Sequence, residues 1–240
     1  MSLLRIEVLS KNFSGLRAVS EVSFAVEEGS ITALIGPNGA GKTTCFNLIA
    51  GALRPSSGRV FFAGEDVTGL PPEALCMRGI GRTFQIVRPM PDLTVLENAM
   101  VGAFARESRL ASAEAVARYT LARVGLAPKA DMLASQLTLP DRKMLEVARA
   151  LATRPRLLLL DEVMAGLRPG EAGHIVATLR AANEAGVTIL MIEHVMRVVM
   201  ALARHIVVLH HGEKIADGAP EDVTRDPAVI RSYLGERGIA

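Results

Sequence analysis

Three glycines and a lysine-threonine pair stand in one short run, Gly36-Pro37-Asn38-Gly39-Ala40-Gly41-Lys42-Thr43. An apolar stretch, Ile31–Ile35, leads into it, and Cys45, Leu48 and Ile49 follow at helical spacing before Gly51. Glycines allow the backbone to fold around an anion with its N–H groups facing inward. The start of a helix adds positive potential, and Lys42 adds a point charge. Strand, loop and helix in this order match the P-loop pattern, so Gly36 through Thr44 are expected to cradle the phosphates of a nucleotide, with the Thr43 hydroxyl on Mg²⁺. A glycine-rich turn carrying a solvated lysine would not need both flanks. A second group completes the chemistry: Leu157-Leu158-Leu159-Leu160 ends in Asp161-Glu162. Without a phosphate loop these acids would be the polar end of a strand. With one, Asp161 is expected to hold Mg²⁺ and Glu162 to orient or deprotonate the water that attacks the γ-phosphate.

These residues need a scaffold. Short strands are expected at Leu4–Leu9, Val22–Val26 and Val60–Phe62. From about Pro89 to Arg154 the pattern is mostly helical, with Val116, Tyr119, Leu121 and Val124 in an amphipathic stretch. The continuous apolar runs Leu157–Leu160, Val187–Ile192 and Ile206–Leu209, separated by helical segments, have the character of parallel strands buried on both faces. A Gly-Glu turn within His210–Gly218 suits a terminal hairpin, and Asp226–Leu234 a short helix. The expected fold is therefore α/β: a P-loop NTPase with a mostly parallel buried sheet, N-terminal antiparallel strands and an inserted helical subdomain. Residues 1–88 and 155–240 form the two parts of the nucleotide-binding core, and 89–154 the helical segment.

Composition narrows the rest. Half of the 240 residues are apolar, enough for a large core. With 27 basic and 25 acidic side chains, scattered, the net charge is +2, and nucleic acid is not an expected partner. No stretch reaches the ~18 apolar residues of a spanning helix. Charges at Arg5, Glu7, Lys11, Arg17 and Glu21 leave no export core, and Cys45 and Cys76 are expected to be buried hydrophobes in a reducing cytosol.

Three further elements resemble the ATP-binding subunits of ABC transporters. Gln85, in Arg82-Thr83-Phe84-Gln85, resembles the glutamine loop that senses Mg²⁺ and the γ-phosphate. His194, in Ile192-Glu193-His194, resembles the switch histidine on the γ-phosphate, and Phe13 stands where the family stacks an aromatic ring on adenine. The segments Ile80–Pro89, Leu93–Asn98, Leu145–Ala152 and Gly212–Ala216 resemble the branched-chain or hydrophobic amino acid uptake group. The resemblance spans essentially the whole chain. It implies ATP and Mg²⁺ as cofactors, ATP hydrolysis, and a peripheral place on the cytoplasmic face of the inner or plasma membrane. It also implies transmembrane permease subunits, a second ATPase subunit and, indirectly, a periplasmic or extracellular solute-binding protein as partners. An ABC ATPase serving an unrelated solute is the alternative. A P-loop kinase would not require Gln85, His194 and a signature-like segment together. A soluble ABC ATPase of DNA repair or the ribosome would normally show tandem halves or a long coiled-coil insertion.

One segment departs from the family. Its signature, usually Leu-Ser-x-Gly-Gln, reads Leu137-Thr138-Leu139-Pro140-Asp141 here. In the family this helix start faces the γ-phosphate held by the opposite subunit. Pro140 has no N–H to donate, and Asp141 brings a negative charge, while Thr138 and Asp141 keep capping-box spacing. A heterodimer with a better-equipped companion is therefore favoured over a homodimer. Arg168 stands where many relatives carry an acid, and Val163 where proline is frequent.

Overall fold

The computed structural model describes residues 2–83 and 89–234, the side chains of Pro169 and Leu234 excepted. In chain order the elements are β1 (Ser2–Phe13), β2 (Leu16–Glu27), β3 (Ile31–Ile35), α1 (Lys42–Ile49), β4 (Ser57–Phe62), β5 (Glu65–Asp66), α2 (Pro72–Arg78), β6 (Ile80–Arg82), α3 (Val95–Ala103), α4 (Leu110–Arg123), α5 (Leu139–Ala152), β7 (Leu157–Asp161), α6 (Pro169–Glu184), β8 (Thr188–Ile192), α7 (Met196–Leu202), β9 (His205–His210), β10 (Glu213–Gly218), α8 (Pro220–Val223) and α9 (Pro227–Leu234). They fall into two compact units, residues 1–72 with 188–240, and residues 73–187. These cuts differ from the three functional segments expected from sequence, and segment 89–154 lies wholly in the second unit.

In the first unit, β2-β1-β4-β5 make an antiparallel sheet. Its apolar residues are buried in alternation, Ile6 between exposed Arg5 and half-buried Glu7, and Phe24 and Val26 flanking half-buried Ala25, as one covered face requires. Ser14 and Gly15, at φ 38° and 96°, close the β1–β2 hairpin as a two-residue turn of positive φ, which matches strand twist. Strand β3 is buried throughout and runs parallel to both β8 and β9. Its four apolar residues and Thr32 have no solvent face, which is why the sequence shows no polar alternation there. Strand β10 pairs antiparallel with β9. Their turn is His211–Gly212, φ 48° and 83°, so the expected Gly-Glu turn sits one residue too late: only these two positions take the positive φ that a two-residue turn demands.

In the second unit, β6 runs parallel to β7, and α3, α4 and α5 pack together. The buried face of α4 is Ala113, Ala117, Thr120 and Leu121, whereas Tyr119 is 65% exposed, against expectation. Small alanines let α4 approach its neighbours closely, and the large ring is left outside. The short elements β5, β6, α2 and α8 carry too few residues to show a period, and the sequence did not reveal them. Cys45 is buried, and burial pushes its thiol up to about 12, so it is an inert hydrophobe. Cys76 is only half-buried, so that half of the cysteine expectation fails. Among the described residues no helix is long and apolar enough to cross a membrane.

Candidate nucleotide-binding site

The loop after β3 is shaped by its glycines. Gly36 has φ 148°, and a Cβ there would stand 2.1 Å from the Leu209 carbonyl oxygen. Gly41, at φ 96°, would place a Cβ 2.4 Å from the carbonyl oxygen of Ala18. Any side chain at either position must move backbone. Two backbone bonds hold the loop from behind: Gly212 N–H donates to Ala40 O at 3.1 Å, and Ser20 N–H to Gly212 O at 2.8 Å. The β9–β10 turn thus buttresses the loop, a role for Gly212 that sequence reading missed, because the contact joins segments far apart in the chain.

Helix α1 starts on Gly41 with no side-chain cap and no acid in its first turn, among the described residues. No side-chain cap or acid therefore competes with an external anion at this helix start. Lys42 is 6% exposed, and its ammonium donates to Gly36 O at 2.7 Å and Pro37 O at 2.8 Å. The cation is held at the mouth of the loop. Asn38, Gly39 and Thr43 are exposed, Pro37 and Thr44 half-buried, and Ala40 buried. In the parallel ladder Leu34 pairs with Ile192. Two residues beyond these partners stand Gly36 and the exposed His194, so the phosphate loop and the histidine leave the sheet together at its carboxyl end, where α/β folds bind ligands. Phe13, at the tip of β1, is 41% exposed with the Lys11 ammonium 5.2 Å from its ring centre. It is not a core phenylalanine, and its ring is available to stack.

In the second unit, β7 carries Asp161, 2% exposed, at its end. Arg82 Nη2 donates to Asp161 Oδ2 at 3.2 Å, and Asp161 N–H donates to Thr83 Oγ1 at 3.3 Å. Arg82 is a second residue that sequence reading passed over, since β6 is three residues long. Glu162 has φ 49°, in the left-handed region that a side chain disfavours, and the buried Lys143 donates to its carbonyl at 3.2 Å. Strained backbone at a strand end beside a buried aspartate is characteristic of functional positions.

The start of α5 is built differently. Thr138 is the N-cap, and its hydroxyl accepts from Asp141 N–H at 3.4 Å. The expected capping box is only half formed. The Asp141 carboxylate spends itself mainly on side chains: it takes the Thr138 hydroxyl at 2.6 Å and the Lys129 ammonium at 2.6 Å, and the Thr138 backbone N–H is the weakest of its partners. Partial burial would raise the Asp141 pKa, but the Lys129 and Thr138 bonds outweigh it and hold the carboxyl below its usual range. Its charge is therefore paired, which the sequence pattern did not reveal. With Pro140 lacking an N–H and that of Asp141 capped, Leu139 alone of the first three helical residues has an N–H left to donate, among the described residues.

Gln85 and Arg88 lie outside the described residues. Pro89 and Met90, which follow, are half-buried, and buried Asn98 clasps Met90: its Oδ1 accepts from Met90 N–H at 2.9 Å and its Nδ2 donates to Met90 O at 3.0 Å.

Residues 19–165 match the family model of the ABC transporter, and residues 213–239 that of the branched-chain amino acid ATP-binding cassette transporter. The chain is 39% identical to the high-affinity branched-chain amino acid transport ATP-binding protein BraF of Pseudomonas aeruginosa, and 40% identical to LivG of Escherichia coli, described in the same words; each match covers 98% of both chains. Among solved structures, a nucleotide-free ATP-binding cassette from an ABC transporter superposes with TM-score 0.90 at 35% identity, covering 98% of this chain and 100% of that one. The ADP conformation of MJ1267, an ATP-binding cassette of an ABC transporter, gives 0.89 at 36%, with the same coverage. With an open phosphate loop after β3 and relatives matched over nearly its whole length, the chain belongs to the ATP-binding, ATP-hydrolysing subunits of ABC transporters, in the branched-chain amino acid group.

Proposed function

We propose that this chain hydrolyses Mg²⁺-ATP to drive uptake of branched-chain amino acids or related small solutes through a membrane permease. The uncapped start of α1, with Lys42 at the mouth of its glycine cradle, is the observation that carries the nucleotide part of this reading. Residues Gly36 to Thr44 hold the phosphates, and Phe13 stacks on adenine. Thr43 presents a hydroxyl and Asp161 a carboxylate, hard oxygen donors of the kind Mg²⁺ prefers, so the residues present fit that ion. Gln85 is assigned to the same ion and to relaying its state. Bound Mg²⁺ supplies charge neutralisation on the phosphates. Glu162 orients or deprotonates the attacking water, and His194 contacts the γ-phosphate.

The solute class rests on the relatives' names, since the ATPase touches ATP and not the solute. Residues 89–154 act as the signature-bearing helical segment between the two parts of the core, 1–88 and 155–240. The surface around Gln85, Arg88, Pro89 and Met90 docks a cytoplasmic helix of the permease, which places the chain peripherally on the cytoplasmic face of the membrane. A solute-binding protein on the other side completes the system. Because α5 retains so few donors at its start, the working pair is a heterodimer: ATP on this chain's phosphate loop is clamped by a companion's better signature.

Glu162→Gln tests the chemical assignment. ATP affinity by calorimetry should be unchanged, while turnover in the assembled transporter falls about 100-fold or more. Normal turnover in that variant would mean that another residue activates the water.

A further inference from the structure

Asp141 looks, in sequence, like a residue that spoils phosphate binding, yet the structure gives it two partners. Lys129 Nζ and Thr138 Oγ1 each stand 2.6 Å from Asp141 Oδ2, and the Lys129 and Asp141 side chains are 38% and 18% exposed. The lysine is not delivered by a loose surface loop. It closes a one-turn 3₁₀ segment, Ala127–Lys129, in which Lys129 N–H donates to Leu126 O at 3.0 Å. The chain just beyond is tied to the start of α3, because Val95 N–H donates to Met132 O and Leu96 N–H to Ala130 O, both at 2.9 Å. Two separate segments, 126–132 and 138–141, thus meet at one oxygen.

We propose that Lys129 is a positioning residue for the known reaction: it cancels the charge that Asp141 brings to residues 137–141 and holds the carboxylate on Thr138, so this variant signature can still close on an ATP held by the facing subunit. This rests on the reading above, in which that segment faces the opposite ATP. A carboxylate beside an incoming triphosphate repels it, and a single ammonium at hydrogen-bond distance removes most of that field. Lys129 therefore offsets the charge that replaced a neutral glutamine, although it does not restore the N–H that Pro140 lacks. The pair forms one unit: lysine without aspartate is unnecessary, and aspartate without lysine is harmful.

The test uses the chain carrying Glu162→Gln, to slow hydrolysis, with Mg²⁺-ATP, and reads self-association by sedimentation for four further variants. Lys129→Met should weaken ATP-dependent association about tenfold, while Lys129→Arg and the double variant Lys129→Met, Asp141→Asn should match the parent. ATP affinity of the isolated chain and its Tm should barely move in Lys129→Met, which separates positioning from simple stabilisation. Asp141→Asn alone should associate at least as well as the parent. Parent-like association of Lys129→Met overturns the inference, as does a double variant no better than Lys129→Met. ATP-dependent association in neither the parent nor any variant overturns this inference, because the variant signature then does not close on ATP, while the heterodimer reading beneath it stands.

Discussion

Two helix starts in this chain meet opposite fates. Helix α1 begins on Gly41 with no side-chain cap and no acid in its first turn, among the described residues, and keeps a lysine at its first position. Helix α5 begins on Thr138, loses one donor to Pro140, and spends another on the cap. Both are N-termini of amphipathic helices with the same backbone dipole, so the dipole does not distinguish them. What differs is whether a side chain of the chain itself caps the start. A helix start left open by glycine is stable only because the loop before it is fixed by outside contacts, here Ala18, Leu209 and Gly212. One that caps itself is stable alone and has little left to offer an anion.

The largest expected effect comes from removing the cation at the open start. Lys42→Ala should weaken ATP binding about 100-fold by calorimetry, since a charge-assisted contact to the outer phosphates is lost along with two bonds to loop carbonyls. Next is the loop itself. Gly41→Ala should both destabilise the chain by about 2 kcal/mol or more and impair ATP binding, because its Cβ meets the Ala18 carbonyl oxygen at 2.4 Å and its φ is 96°. Gly39→Ala sharpens the contrast: nothing lies within 4 Å of its Cβ, so only the cost of φ 80° remains, about 1 kcal/mol in urea unfolding. Phe13→Ala should lower ATP affinity about fivefold to tenfold with little change in Tm, as expected of an exposed stacking ring and not of a core residue.

The smallest effect belongs to the closed start. The folded-state pKa of Asp141 is depressed, so its contribution to stability is present above the ordinary carboxyl value of 3.8 and is lost as pH falls through the lower folded value. Asp141→Asn should therefore lower Tm by no more than about 2–4 °C near neutrality, and the difference from the unmodified chain should vanish at strongly acidic pH.

Much of this was legible in the residues. Ile31–Ile35 could be read as a buried strand because a short run of four apolar residues and one β-branched threonine before a glycine has little else to become, and the structure gives the strand those limits. The phosphate loop was legible because its residues are contiguous. Interactions that join distant segments were not: Lys129 reaches Asp141 across 12 positions, Arg82 reaches Asp161 across 79, and Gly212 buttresses a loop some 170 residues earlier. Local spacing carries no trace of them. Phe13 shows the same limit, since its type alone does not say whether the ring is buried, and its exposure removes it from the core. The charge of Asp141 shows this limit most plainly. Taken alone it predicts repulsion, while in the fold it is half of an ion pair, and the missing N–H of Pro140 becomes the larger handicap.

That handicap can be measured directly on the purified chain by comparing ATPase turnover of the unmodified protein with that of the Pro140→Gly, Asp141→Gln double variant, in the absence of any companion subunit. Restoring one donor facing a charged phosphate, at ~1.5–3 kcal/mol, should raise turnover about tenfold or more from a low starting value. Robust turnover by the unmodified chain as a homodimer, unimproved by the double substitution, would contradict the division of labour between an open and a closed helix start.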